Sequence, residues 1–228
     1  MDILLNINNG WLEFFNNNIN ELNIILNNID FNNQIIFPDK KNIFSSLFYF
    51  PPEDINLIIV GQDCYISSEI INGIKVPQAC GLSFSVPKSH TKIPPSLQNI
   101  FKEIKNSYPD YKIPNNGCLE NWVKNEKILL LNSALTVIEG KSNSHSKLWT
   151  KFTDKLIKFI SEKNNNTIFL LMGNYAINKE NLIDNNKHKI FKTVHPSPLS
   201  VYRGFYGCNV FKDINNYLIQ NNKKIIEW

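Results

Sequence analysis

Two short polar stretches, each following an apolar run, carry the residue types that could do chemistry. Gln62, Asp63 and Tyr65 follow Leu57-Ile58-Ile59-Val60-Gly61, and His195 opens His195-Pro196-Ser197-Pro198-Leu199-Ser200 after Ile190-Phe191-Lys192-Thr193-Val194. A carboxylate beside an aromatic ring in a confined loop can orient or deprotonate a water and stabilise a developing cation. An imidazole is the side chain best suited to hold or give a proton near neutral pH. Taken singly, Asp63 also reads as a helix cap and Tyr65 as a core aromatic. The second stretch tips that balance, because both apolar runs read as strands that deliver polar residues to the same kind of edge.

The elements that must position these residues follow from the apolar pattern. Buried runs at 57–60, 127–131, 167–172 and 190–194 alternate with stripes at helical spacing, which predicts a single α/β domain. Its expected core is a central four-stranded, mainly parallel sheet with helices on both sides, and ligands bind such sheets at the carboxyl ends of the strands. Trp11, Phe14, Phe15, Leu22, Ile25, Leu26 and Ile29 form one stripe, expected to dock on the sheet, with recruitment of a partner as the alternative. Residues 43–49 predict a short helix, and 67–78 an irregular wall of the site. Ser96 is expected to cap a helix carrying Leu97, Ile100, Phe101 and Ile104, Trp149 to Phe159 mark another, and a last helix is expected over 213–220. Residues 1–45 are expected to form an N-terminal helical segment on a core of 46–228.

Composition bounds the function more loosely. The 228 residues, 43% hydrophobic, suffice for one sizeable core, and a net charge of +4 permits a basic face without indicating a protein that coats polyanions. Cys64, Cys80, Cys118 and Cys208 are too irregularly spaced for a disulfide scaffold or a metal or iron-sulfur site, so a reducing intracellular compartment and no metal are expected. No apolar run is long enough to span a bilayer, and the first residues lack the basic segment of a secretory signal. The asparagine runs at 16–18, 164–166 and 185–186 read as solvated loops, helix ends or exposed faces, and His145 as a structural or surface histidine.

Gly61-Gln62-Asp63-Cys64-Tyr65-Ile66, Leu129-Leu130-Leu131-Asn132 and His195-Pro196-Ser197-Pro198-Leu199-Ser200 together resemble the signatures of the family 1 uracil-DNA glycosylases, in family order, from about residue 45 to the end of the chain. The resemblance implies a cofactor-free repair enzyme that flips deoxyuridine out of single- or double-stranded DNA and hydrolyses its glycosidic bond, as a monomer. It implies Asp63 and His195 as catalytic residues, Gln62, Tyr65, Phe84 and Asn132 as the uracil pocket, and Ser96, Asn174, Ser197, Leu199, Ser200, Tyr202 and Arg203 as DNA contacts. Phe84 would stack on the base. Tyr65 would exclude the methyl group of thymine. Asn132 would read the pyrimidine edge, since an amide set to pair with uracil leaves unpaired groups against cytosine.

The match departs from the family at Cys64, where the signature has proline, and at Ile66, where it has histidine; reduced turnover is the expectation. A glycosylase-like processivity subunit of a viral polymerase is the second reading, weakened by the retention of carboxylate, base reader and histidine together. A generic α/β hydrolase is weaker still, for want of a Gly-x-Ser-x-Gly elbow. Nucleus, mitochondrion and virus-infected cell, and any polymerase partner, stay open.

Overall fold

The structure, a computed structural model, describes residues 2–228. Its elements run in the order α1 (Leu12–Asn27), β1 (Ile36–Phe37), β2 (Leu57–Gly61), β3 (Ser68–Ile71), β4 (Ile74–Pro77), α2 (Pro95–Ser107), α3 (Glu120–Glu126), β5 (Ile128–Asn132), β6 (Val137–Ile138), α4 (Ser146–Lys163), β7 (Ile168–Met172), α5 (Asn174–Ile177), β8 (Lys189–Thr193) and α6 (Val210–Gln220). The central sheet has the order β5-β2-β7-β8, and every neighbouring pair is parallel. β2, β5 and β7 are buried along their whole length. β8 is not: it lies at the edge and is half exposed, which its lysines at 189 and 192 match.

The chain leaves β2 through α2 and α3 to reach β5 on one side, then passes back through α4 to β7 on the other. Right-handed crossovers in opposite directions put α2 and α4 on opposite faces of the sheet. The packing agrees, since α4 contacts α1 and α2 contacts α6. Ile58, Val60, Leu129, Leu131, Phe169 and Leu171, all nearly inaccessible, belong to one core with Phe101, Phe152 and Phe211 from these helices.

The amphipathic N-terminal helix docks on α4 rather than on the sheet itself: the rings of Phe14 and Phe152 meet edge to face at 5.2 Å. Ile3, Ile7 and Trp11 join the same core, and β1 pairs with β6, so residues 1–45 include no separately packed unit among those described. Residues 43–49 form only a short 3-10 turn, and α6 starts at Val210, ahead of the expected Asp213. Asn164 is a buried staple rather than a solvated loop residue, its Nδ2 donating to the Pro52 carbonyl at 2.7 Å.

The largest departure from expectation lies at 67–78, a β-hairpin of β3 and β4 instead of an irregular wall. Asn72 and Gly73 turn it with φ of 51° and 77°, the pair of positive values that a two-residue turn matched to strand twist requires. Separate polar contacts anchor the hairpin at its flanks. Glu69 accepts from the Thr91 backbone, Lys75 pairs with Glu139 at 2.6 Å, and His90 Nε2 lies 3.0 Å from the Pro77 carbonyl.

Candidate active site

All the polar residues singled out by sequence lie at or beyond the carboxyl ends of the sheet strands or at the start of α2. The register places Gly61 beside Asn132 on adjoining strands. The chain then stays stitched past the strand ends: Ser133 N–H donates to the Gly61 carbonyl at 2.9 Å and Ala134 N–H to that of Gln62 at 3.0 Å. This locks Asp63 and Asn132 to one frame. On the far side, Gly173 N–H donates to the Thr193 carbonyl at 2.8 Å, which holds the start of the His195 loop against β7.

Between these loops opens a cleft of about 580 Å³ lined by Gln62, Asp63, Tyr65, Phe84, Ser96, Asn132, His195, Ser197 and Leu199, with Gly61, Cys64 and Ile66 at its base and wall. Two glycines make room for it. A Cβ at Gly61 would lie 2.2 Å from Oδ1 of Asn132, and one at Gly173, where φ is +87°, would lie 2.7 Å from Cβ of His195. Neither position could carry a side chain without displacing a polar group of the cleft.

Asp63 is half buried. Its Oδ2 accepts from the Asn143 backbone N–H at 2.5 Å and from the Ser142 hydroxyl at 3.1 Å. Its Oδ1 is shielded from solvent and accepts no hydrogen bond. Burial raises the carboxyl above the ordinary range, opposed by the hydrogen bonds from Asn143 and Ser142. Ser142 and Asn143 line the cleft and hold Asp63, although the sequence does not single them out. Their only signal was a polar loop ahead of α4, indistinguishable from any other loop. Asn143 also accepts from the Gln62 amide at 3.0 Å, so Gln62 points its side chain along the rim.

His195 is oriented by its own loop. The Ser197 N–H donates to its Nδ1 at 3.1 Å, so in the neutral ring the proton sits on Nε2. Burial lowers its pKa below the ordinary 6.5, favouring that neutral ring. Ser200 Oγ donates to the His195 carbonyl at 2.8 Å and lies 2.8 Å from Ser197 Oγ, so these serines hold the loop together as well as lining its surface. From α2, Asn99 Nδ2 donates to the Pro196 carbonyl at 2.8 Å, while Asn99 Oδ1 accepts from Tyr206 at 2.6 Å. The fully buried Glu103 accepts the N–H groups of Gly207 and Asn209. Asn99 and Glu103 looked like ordinary polar positions of an amphipathic helix; only the fold turns them onto the loop.

The aromatic walls are equally tied. Tyr65 Oη donates to the Phe84 carbonyl at 3.0 Å, and Phe84, held at φ 62°, has its ring 6.1 Å from that of His195. The segment carrying Phe84 is pinned by Ser83, whose N–H donates to Leu130 and whose hydroxyl donates to Ile59. Asn132 is only 8% exposed and lines the cleft.

Of the remaining residues, Ser96 lines the cleft but is not the helix cap. Pro94 holds that position and Pro95 begins α2, leaving the Ser96 and Leu97 N–H groups unpaired within the helix and directed to its N-terminal end. Leu199 stands 87% exposed at the rim, and Tyr202 86% exposed on the following 3-10 turn with Arg203; neither Tyr202 nor Arg203 lines the cleft. Asn174 lies in a smaller adjoining depression that it shares with Gln62 and His195. Among the described residues, no group of three or more His, Cys, Asp or Glu is placed to hold a metal, and no helix is long and apolar enough to cross a membrane.

An α/β domain whose sheet ends in a cleft, with an amide, a carboxylate and an imidazole beside aromatic walls, is of the class that handles a planar polar ring. The chain belongs to the uracil DNA glycosylase superfamily, whose model matches residues 47–219. It is 46% identical over 198 residues to the uracil-DNA glycosylase of Francisella tularensis subsp. novicida, covering 86% of both chains, and 47% identical over 196 residues to that of Buchnera aphidicola subsp. Acyrthosiphon pisum, covering 86% of this chain and 84% of the other. The crystal structure of mimivirus uracil-DNA glycosylase superposes with a TM-score of 0.89 at 30% identity, covering 100% of this chain and 89% of that one.

Proposed function

We propose that the protein is a monofunctional uracil-DNA glycosylase of base excision repair, acting as a monomer on deoxyuridine in single- or double-stranded DNA. One observation carries this: Asp63, Asn132 and His195, remote in sequence, share one cleft with Tyr65 and Phe84 on its walls. The target nucleotide rotates out of the stack, at a cost of a few kcal/mol. Leu199 fills the gap it leaves, while Ser96, Asn174, Ser197, Ser200, Tyr202 and Arg203 hold the flanking backbone. Phe84 stacks on the base, and the Asn132 amide accepts from N3–H and donates to O4.

Breaking the C1′–N1 bond leaves the electron pair on the base and a cationic sugar. The Nε2 proton of His195 stabilises the charge gathering at uracil O2 without leaving the ring. The Asp63 carboxylate supports the cation and accepts a proton from the water that adds to C1′, giving an abasic sugar and a uracil anion that is protonated from solvent. Ile66 stands on the cleft wall as an apolar residue and adds no polar group to this scheme.

The test is release of free uracil from a deoxyuridine-containing oligonucleotide. Asp63→Asn should slow it by roughly 10²–10⁴-fold, the usual worth of a positioned acid or base. A wild-type protein that binds such DNA yet releases no uracil would instead make it a noncatalytic DNA-binding subunit.

A further inference from the structure

We infer that Cys64 is a positioning residue for base selection: its thiol holds the Asn132 amide in the orientation that reads uracil and opposes the flipped orientation that cytosine needs. This deepens the function proposed above and rests on it. Cys64 is 6% exposed, at the base of the cleft. Its Sγ donates to the Ala134 carbonyl at 3.4 Å and accepts from Asn132 Nδ2 at 3.6 Å. The thiol proton is thus committed, and burial, raising the thiol far above its ordinary range, keeps it in place.

One N–H of the amide is spent on sulfur. The other N–H and Oδ1 remain, one donor and one acceptor, which is the complement of uracil O4 and N3–H. Cytosine presents an acceptor at N3 and a donor at N4, so reading it means turning the amide over. Oδ1 would then face the sulfur lone pairs, or the thiol would have to swing round and abandon the buried Ala134 carbonyl. Either way a buried polar group loses its partner. Oδ1 in turn packs against Gly61, 2.2 Å from where a Cβ would stand. The amide is clamped between a backbone and a thiol.

The full-length protein carries the test, with Cys64→Ala and Cys64→Ser compared for inhibition of cleavage by free uracil, for cytosine release from a matched single-stranded oligonucleotide, and for melting temperature. Serine can make both bonds and alanine neither. Cys64→Ala should weaken uracil inhibition by roughly three- to tenfold and raise cytosine release relative to uracil release, and Cys64→Ser should recover most of both. If Cys64→Ala melts early, Cys64→Val, which fills the volume without the bonds, should show the same loss. Alanine or valine variants with wild-type inhibition and selectivity would overturn the inference, as would serine failing as badly as alanine, which would mean that the thiol matters only as volume. Asp63-dependent uracil release by the wild type reports separately on the underlying activity, so the two failures are distinguishable.

Discussion

Gly173 and His195 face each other so closely that a Cβ on the glycine would lie 2.7 Å from Cβ of the histidine. The end of one strand is thereby shaped around the imidazole delivered by its neighbour. At φ +87° and ψ 162°, Gly173 also occupies backbone space essentially closed to other residues. Gly173→Ala should therefore destabilise the fold by roughly 1–3 kcal/mol and, at a temperature where the variant is folded, reduce turnover by displacing the histidine. Thermal melting and single-turnover cleavage check the two effects; an alanine variant with wild-type turnover would show that the histidine tolerates displacement.

The pH profile follows from the two shifts. Burial raises Asp63 above 3.8, so its charge is lost at a higher pH than usual as acid is added. Burial lowers His195 below 6.5, so its ring is already neutral at a pH where a free histidine would still be charged. With ionised Asp63 and neutral His195 both required, kcat/KM should rise with pH along an acid limb that lies above 3.8, where a free aspartate would already be ionised. A limb that persists in Asp63→Asn and is centred above 6.5 would contradict the lowered His195.

Tyr65 combines a ring on the cleft wall with a hydroxyl bound to the Phe84 carbonyl. Tyr65→Ala should open space for a methyl group and permit thymine release from matched oligonucleotides. Tyr65→Phe, which keeps the ring and loses only the hydrogen bond, should retain the exclusion. Thymine release by the phenylalanine variant, or none by the alanine variant, would remove Tyr65 from this role.

Leu199 is exposed and makes no contribution to the core, so Leu199→Ala should leave the melting temperature unchanged. If it fills the gap behind a flipped base, cleavage of duplex substrate should fall by roughly tenfold or more while cleavage of single strands changes little, because only the duplex has a stack to hold open. Equal losses on both substrates would argue for a general binding contact.

Much of the fold was legible because it depends on local pattern. The apolar runs at 57–60, 127–131 and 167–172 read as buried strands, and the stripe from Trp149 to Phe159 as an amphipathic helix. The hairpin at 68–77 escapes a reading by pattern although Asn72-Gly73 marks it, because its Ser-Glu-Ile-Ile arm does not alternate apolar with polar residues and its second arm is short and ends in a proline. The cap of α2 was misplaced by the appeal of a serine: two prolines before it already set the chain for a helix start.

By itself the sequence determined which residues stand at the ends of which strands, since a run of β-branched and apolar residues closed by a polar loop is a local property. Its signature motifs, read as a resemblance, also indicated the class of reaction. Tertiary structure alone decided what those residues face. The bound carboxylate of Asp63, the placement of the His195 loop and the clamped amide of Asn132 come from partners many residues away: Ser142 and Asn143, Asn99 on α2, and the Cys64 thiol with Gly61. Hydrogen bonds and close packing act through distances in space, and no spacing along the chain records them.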